Sequence, residues 1–250
     1  MILWNNSLFT INDDTDTHIY ELNTKGEFVN KYKLKGITNV DWKEISQDED
    51  YIYVRDFGNN AAGNRKDLKI NKILKSSLSS DNPQIETINF SYSNQTDFSV
   101  QSKTDFDCEA MIVTSENIFL FTKQWVTQVT SVYILPKTPG NHQAKLTHTF
   151  DVKGLITGAT YVKDNKLIAL TGYNTVGETF MYILSDFSDN NFFSGNKRKF
   201  ILGNFLQMEC IASNDGRRFY ISNETFKDAR AAISFFDLNQ LYRTAKKYVK

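Results

Sequence analysis

Two short patterns recur along this chain at matched intervals, and that recurrence restricts the fold more than any other feature of the sequence. The first opens an apolar run: DWKEI from Asp41, DCEAM from Asp107, ITGAT from Ile156 and QMECI from Gln207, at spacings of 66, 49 and 51 residues. The second closes the next apolar run: LFTIN ending at Asn12, IYVRD at Asp56, LFTK at Lys123, ALTG at Gly172 and YISN at Asn223. From Asp56 onward its spacings are 67, 49 and 51 residues. The two series advance together, with 15 or 16 residues from opener to closer in every unit. A fixed period of a few tens of residues marks a repeat architecture, each unit being one supersecondary element that buries its faces against its neighbours.

Each unit reads as strands. In the best-preserved copy, Asp105 to Trp125, the apolar runs AMIV and NIFLF are joined by the polar turn TSE, which predicts an antiparallel pair. A third run follows in every unit (HIYEL, LKINKI, SVYIL, TFMYIL, AISFFDL) and a fourth in all but the last (FVNKYKL, TINFSY, AKLTHTF, RKFIL). Four antiparallel strands in about 50 residues is the pattern of a propeller blade. The sequence predicts one all-β domain, a β-propeller of five blades at approximately 1–35, 36–92, 104–150, 154–202 and 205–237. In the tail 238–250, Leu238, Leu241, Tyr242, Ala245 and Val249 share one helical face, which predicts a short C-terminal helix. The first blade has a closer at Asn12 but no room for its opener, whose strand is expected to begin four positions before residue 1. The natural chain is therefore expected to extend upstream.

Composition narrows the partners. The formal net charge of the 250 residues is zero and no Lys/Arg run exceeds three, so the electrostatic footprint of nucleic-acid or anionic-membrane binding is missing. No apolar stretch approaches the length of a membrane-spanning helix, and MILWNNSLF lacks the regions of a signal peptide. Taken literally, the polypeptide is cytoplasmic. Cys108 and Cys210 are too few for a disulfide framework and read as small buried hydrophobes. No GxSxG, P-loop or HExxH occurs, and Asp56-Phe57-Gly58 spells DFG without the rest of a kinase signature.

Connectivity then locates a site. In a propeller the innermost strand starts on the face to which the second strand returns, so openers and closers should surround one mouth of the central channel. That gathers Asn12, Asp13, Asp41, Asp56, Asn59, Asp107, Glu109, Lys123, Tyr173, Glu209, Asn223 and Glu224, seven of them carboxylates. Crowded carboxylates call for a compensating cation, and this oxygen-rich set suits Ca2+ or Mg2+ better than zinc, with Asp56, Glu109, Glu209 and Glu224 as expected ligands. Glu109 and Glu209 share one repeat position, where Lys43 and Gly158 stand in other units. Asn12, Asp13, Trp42, Trp125, Tyr173 and Asn223 are expected to contact a small molecule, glycan or protein, the tryptophans by stacking. The leading expectation is a binding or scaffold module. The alternative is a metal-dependent hydrolase of an ester, lactone or phosphate, in which Glu109 and Lys123 are the catalytic candidates.

The succession LFTINDD, NVDWKEI, YIYVRDFGNN, RKDLKI, FDCEAM, LFTKQW, ILPKTPG, LITGAT and ALTGYN, spanning Leu8 to about Asn223, resembles a group of mostly uncharacterised, typically secreted β-propeller proteins of Bacteroidetes-type bacteria. More distantly it is similar to the SdiA-regulated and the esterase- and phytase-like propellers. The resemblance implies the fold and an extracytoplasmic location, with a leader in the missing upstream part. The group's pattern has an acid where this chain has Lys43 and usually an Asp where it has Thr160, so the resemblance does not carry over a carboxylate-based activity.

Overall fold

The structure, a computed structural model, describes residues 1–13, 16–204, 207–225 and 230–242. Among the described residues nineteen strands pair almost entirely with their sequence neighbours, antiparallel. Ile2–Trp4 (β1), Ser7–Thr10 (β2), His18–Leu22 (β3) and Phe28–Lys33 (β4) make one four-stranded sheet. Trp42–Gln47 (β5), Tyr51–Asp56 (β6), Lys69–Leu74 (β7) and Ile85–Tyr92 (β8) make a second meander. Cys108–Val113 (β9), Asn117–Thr122 (β10), Thr130–Pro136 (β11) and Gly140–Phe150 (β12) make a third. These two meanders join at their outer edges, where β8 and β12 pair in parallel from Ile88 opposite Gly140 to Tyr92 opposite Ala144, giving one eight-stranded sheet. Leu155–Val162 (β13), Leu167–Tyr173 (β14), Glu178–Ser185 (β15) and Asn196–Asn204 (β16) form the next sheet, and Met208–Ala212 (β17), Arg218–Asn223 (β18) and Ala232–Asp237 (β19) a three-stranded one.

Burial grades along each meander. Every residue of β9 is buried, as expected of a strand covered on both faces. In β8, buried Ile88, Phe90 and Tyr92 alternate with exposed Asn89 and Ser91, the period of a strand covered on one face. The first strands of the meanders contact one another in a closed circuit, β1 to β5 to β9 to β13 to β17 and back to β1. A separate apolar cluster fills each seam between consecutive meanders. Trp42, Ile19 and Ile73 lie in one, Met111, Tyr133 and Phe90 in the next, and Phe119, Phe180 and Phe192 in the third. Met181, Phe219 and Leu238 fill the fourth, and Met1, Leu8, Cys210 and Ala212 the last, between the first and final sheets. Antiparallel meanders packed face to face around a common axis define a β-propeller-type fold.

The repeat markers fall where the pattern predicted, with openers at the start of β5, β9, β13 and β17 and closers at the end of β2, β6, β10, β14 and β18. The chain is almost without helix: among the described residues, Lys75–Ser77 form a single 3-10 turn and residues 238–242 are helical. The rest of the predicted C-terminal helix lies outside the described residues.

One regularity was not legible in the pattern. In four of the inner hairpins the ladder slips near the opener, across Lys43 and Glu44 in β5, Glu109 in β9, Thr157 in β13 and Glu209 in β17. An extra residue in one strand of a pair bends that strand and re-aims its side chains. The slips explain why these positions, of all those on buried inner strands, carry polar groups. They also correct the repeat alignment, since Thr157 and not Gly158 is the slipped residue in β13. Gly158 serves packing: a Cβ there would lie 2.7 Å from the Glu209 carbonyl oxygen.

Candidate functional site at the channel mouth

Where the openers and closers meet, the structure has a cavity of about 460 Å³, within the range of small-molecule sites. Of the residues expected at the mouth, Asn12, Asp13, Glu109, Lys123, Trp125, Tyr173, Glu209, Asn223 and Glu224 line it. Lys43, Asn60, Gln207 and Ser222 join them. Four carboxylates face two lysines, so the lining carries a formal charge of −2.

The centre of the cavity is an ion pair. Lys123 follows the last residue of β10 and Glu109 sits at the slip in β9. Their side chains are only 3% and 5% exposed, and Nζ donates to Oε2 at 2.7 Å. The same ammonium lies 4.8 Å from the Trp125 ring centroid and 5.3 Å from that of Tyr173. Burial works against the Lys123 charge, but Glu109, Tyr173 and Glu209 outweigh it and hold the pKa above the ordinary lysine value.

The pair rests on Asp107. Its Oδ1 accepts the backbone N–H groups of Asn59 and Cys108, both at 3.0 Å, and its Oδ2 accepts the Trp125 indole N–H at 2.9 Å. Its carbonyl accepts Lys123 N–H at 2.8 Å. Asp107 is therefore a buried clamp that fixes the loop after β6 and the start of β9, and it orients Trp125 toward the cavity. Lys43 pairs with Asp41 at 2.9 Å, and burial of its ammonium is offset by Glu109 and Asp41, which raise its pKa.

Glu209 is different in kind from Glu109. Its Oε1 is buried without a hydrogen-bond partner, whereas Glu109 has Lys123. Burial, then the charge of Glu109, push the Glu209 carboxyl up to about 8, with Lys123 only partly opposing and Glu224 adding to the rise. Burial, Asp13 and Glu109 also raise Glu224, whose Oε2 accepts Gln207 Nε2 at 3.1 Å. The cavity thus holds one carboxylate paired with a lysine and one carboxyl that burial and its neighbours make harder to ionise.

Several expected residues are elsewhere. Trp42 is fully buried in the seam between the first two sheets and is no wall of the cavity; its indole N–H goes to the Thr38 carbonyl at 3.2 Å. Asp56 does not line the cavity. Its carboxylate accepts the amides of Val40 and Asp41 at 3.3 and 3.0 Å and pairs with Arg65 at 3.1 Å and Lys69 at 3.5 Å, which ties down the loop after β6. Asn59 is buried, spending its side chain on Phe106 O and Arg65 N, and its neighbour Asn60 lines the cavity instead.

The expected metal ligands do not fit a cation as they are placed. Among the described residues no three His, Cys, Asp or Glu side chains are grouped to hold one, and the ammonium of Lys123 already occupies the cation position on Glu109.

A separate small cavity of about 40 Å³ lies beside Ile45, Ile112 and Ala159. Next to Ile45 in β5 stands a buried acid the repeat did not single out. Glu44 accepts Met111 N–H of β9 at 3.1 Å and Ala159 N–H of β13 at 3.5 Å, and lies 4.0 Å from Arg55. Burial lifts its carboxyl to about 7 against the opposing charge of Arg55 and the two amides. Arg55, also fully buried, donates to the Glu109 carbonyl and lies 4.9 Å from the Phe57 ring centroid. In the sequence it is a single basic residue near the end of the otherwise apolar run YIYV.

The sequence matches no protein-family model and no curated protein. Solved structures are similar in shape. A putative 6-phosphogluconolactonase from Bacteroides uniformis matches at 12% identity and a TM-score of 0.51, over 93% of this chain and 79% of that one. The PQQ-bound aldose sugar dehydrogenase of Streptomyces coelicolor matches at 8% identity and a TM-score of 0.49, over 94% and 92%. At such identities the likeness shows the fold alone: the chain has a β-propeller-type fold.

Proposed function

We propose that the chain is a five-bladed β-propeller, one blade to each of β1–β4, β5–β8, β9–β12, β13–β16 and β17–β19, and that it is a binding module taking a small polar molecule at the channel mouth. The observation that carries this reading is a 460 Å³ cavity one of whose lining residues, Glu209, has a carboxylate oxygen, Oε1, buried without a hydrogen-bond partner. Buried polar atoms ordinarily have partners, so an orphan on a cavity-lining residue marks a place for a ligand group. Trp125 and Tyr173 supply flat apolar surface, and Asn12, Asn60, Gln207 and Asn223 supply amides, a lining suited to a polyhydroxylated or amine-bearing compound. The divalent-cation version of this reading is the weaker one, because Lys123 stands where the cation would. An extracytoplasmic location, implied by the resemblance, stays within the proposal.

The test is a thermal-shift screen of monosaccharides, polyols and small amines, repeated with Glu209→Gln and Trp125→Phe. A ligand that binds only the folded chain raises the Tm by mass action. A hit whose shift survives both substitutions binds elsewhere and contradicts the assignment.

A further inference from the structure

A second cavity, about 600 Å³ and larger than the mouth, is lined by the turns of all five inner hairpins, where β1, β5, β9, β13 and β17 end away from the openers. Leu3, Trp4, Val113, Tyr161 and Val162 give it an apolar wall. Two lysines reach it from the same place in their repeats, each following the third strand of its meander: Lys75 after β7 and Lys137 after β11. Lys137 spends its three donors on the Asp48 carboxylate at 2.5 Å and on the carbonyls of Thr114 and Ser115 at 3.2 and 3.1 Å. The Tyr53 hydroxyl donates to the same Asp48 oxygen at 2.7 Å, so that carboxylate is fully engaged.

Lys75 is placed differently. Its ammonium donates to two neutral acceptors, Gln47 Oε1 at 2.9 Å and the Asp48 carbonyl at 2.6 Å, and lies 5.2 Å from the Trp4 ring centroid. Among the described residues no carboxylate forms an ion pair with it, so a donor and an unmatched charge are left for a guest. The group is held in position: Gln47 Nε2 donates to the Leu3 carbonyl at 2.8 Å, and Lys75 N–H donates to the Asp50 carbonyl at 2.9 Å. Burial lowers the Lys75 pKa although Asp48, Asp50 and Glu49 oppose the fall, the balance of a half-buried cation short of a counter-ion.

The lining selects the ligand. An ammonium with no anion of its own gains most from an anionic oxygen, whose hydrogen bond to it is charge-assisted. The apolar wall and the face of Trp4 favour a guest with a flat or branched apolar body over a bare inorganic anion. On the rim, exposed Glu49, Asp50 and Asp164 outnumber Lys163 and repel a second negative charge, which disfavours nucleotides and phosphate esters. We propose that this cavity is a second ligand site, which takes a monocarboxylate with an apolar or aromatic body, its carboxylate on Lys75 and its body against Trp4. The two cavities share no lining residue, so this site stands apart from the one at the mouth.

Tryptophan fluorescence tests it. The chain has three tryptophans and Trp42 is fully buried, so in the full-length Trp125→Phe protein a change caused by a guest reports on Trp4. That protein is titrated with 3-phenylpropionate, and with 3-phenylpropanol and phenyl phosphate as comparators. The expected result is a saturable change with 3-phenylpropionate and binding at least about tenfold weaker for each comparator. Adding Lys75→Gln should weaken 3-phenylpropionate by a similar factor, whereas Lys75→Arg, which keeps the charge, should retain it. Scanning calorimetry checks that each variant is folded; should Lys75→Gln not fold, the preference for 3-phenylpropionate over 3-phenylpropanol decides alone. No saturable response to 3-phenylpropionate overturns the proposal, as does equal affinity for 3-phenylpropanol or unchanged affinity in folded Lys75→Gln.

Discussion

Breaking the Lys123–Glu109 pair is the most informative single perturbation of the fold around the site. Both side chains are almost wholly buried and 2.7 Å apart, so each charge depends on the other for the solvation it has lost. Removing one partner from a buried pair costs about 3–5 kcal/mol, whereas replacing both with apolar groups of similar volume is often neutral. In a domain of this size about 1 kcal/mol moves the Tm by roughly 2–4 °C. Lys123→Met should therefore lower the Tm by about 6–20 °C, since Glu109 is left beside Glu209, Asp107 and Glu224 with only Lys43, already paired with Asp41, as a nearby cation. Glu109→Gln should fall at the low end of that range, because Glu209, relieved of its neighbour's charge, can ionise and face Lys123 in its place. The double variant Glu109→Leu/Lys123→Met should recover most of the loss. The assay is scanning calorimetry of the four proteins in one buffer. Single variants within about 3 °C of the parent, or a double variant that loses the sum of the singles, would refute the reasoning.

Three further outcomes follow from the same geometry. The Glu209 carboxyl is harder to ionise in the folded chain than in the unfolded one, so folding takes up protons on this group, and its contribution to stability falls as pH rises from about 4.5 to about 8; Glu209→Gln should flatten that fall and raise the Tm at pH 8. A Cβ at Gly58 would lie 2.2 Å from Asp41 Oδ2 and 2.6 Å from Lys43 Cε, so Gly58→Ala should displace the Asp41–Lys43 pair, visible as altered ligand affinity at the mouth with a lowered Tm. Millimolar Ca2+ or Mg2+ should leave the Tm unchanged, because no carboxylate trio among the described residues is arranged to receive either ion.

The sequence carried the architecture because a propeller repeats its signal. Opener and closer recur at the same places in β5–β6, β9–β10, β13–β14 and β17–β18, and connectivity alone puts those ends together. Glu109, Lys123, Glu209 and Glu224 were legible for that reason. What a marker cannot tell is whether an acid at a strand end turns toward the channel or toward its own backbone. Asp56 and Asp107 look like Glu109 in sequence, yet one caps Val40 and Asp41 and the other clamps Asn59, Cys108 and Trp125. A carboxylate one methylene shorter keeps close to backbone amides, while Glu109 and Glu209 sit at slips in the ladder that swing them outward. Trp42 belongs to the seam because β5 is covered on both faces, which its alternation with Lys43 and Glu44 disguises. Glu44 and Arg55 were passed over for the same reason: the slip that admits charged groups into an inner strand leaves no mark in the pattern.

The account turns on Glu209 being hard to ionise beside the Glu109–Lys123 pair. Carbon-13 titration of the glutamate side-chain carboxyls, with Glu209→Gln to assign the resonance, measures this directly. The structure predicts a Glu209 midpoint near 8 that drops in Glu109→Gln. A midpoint in the ordinary carboxylate range of about 4–5, unmoved by Glu109→Gln, would contradict it.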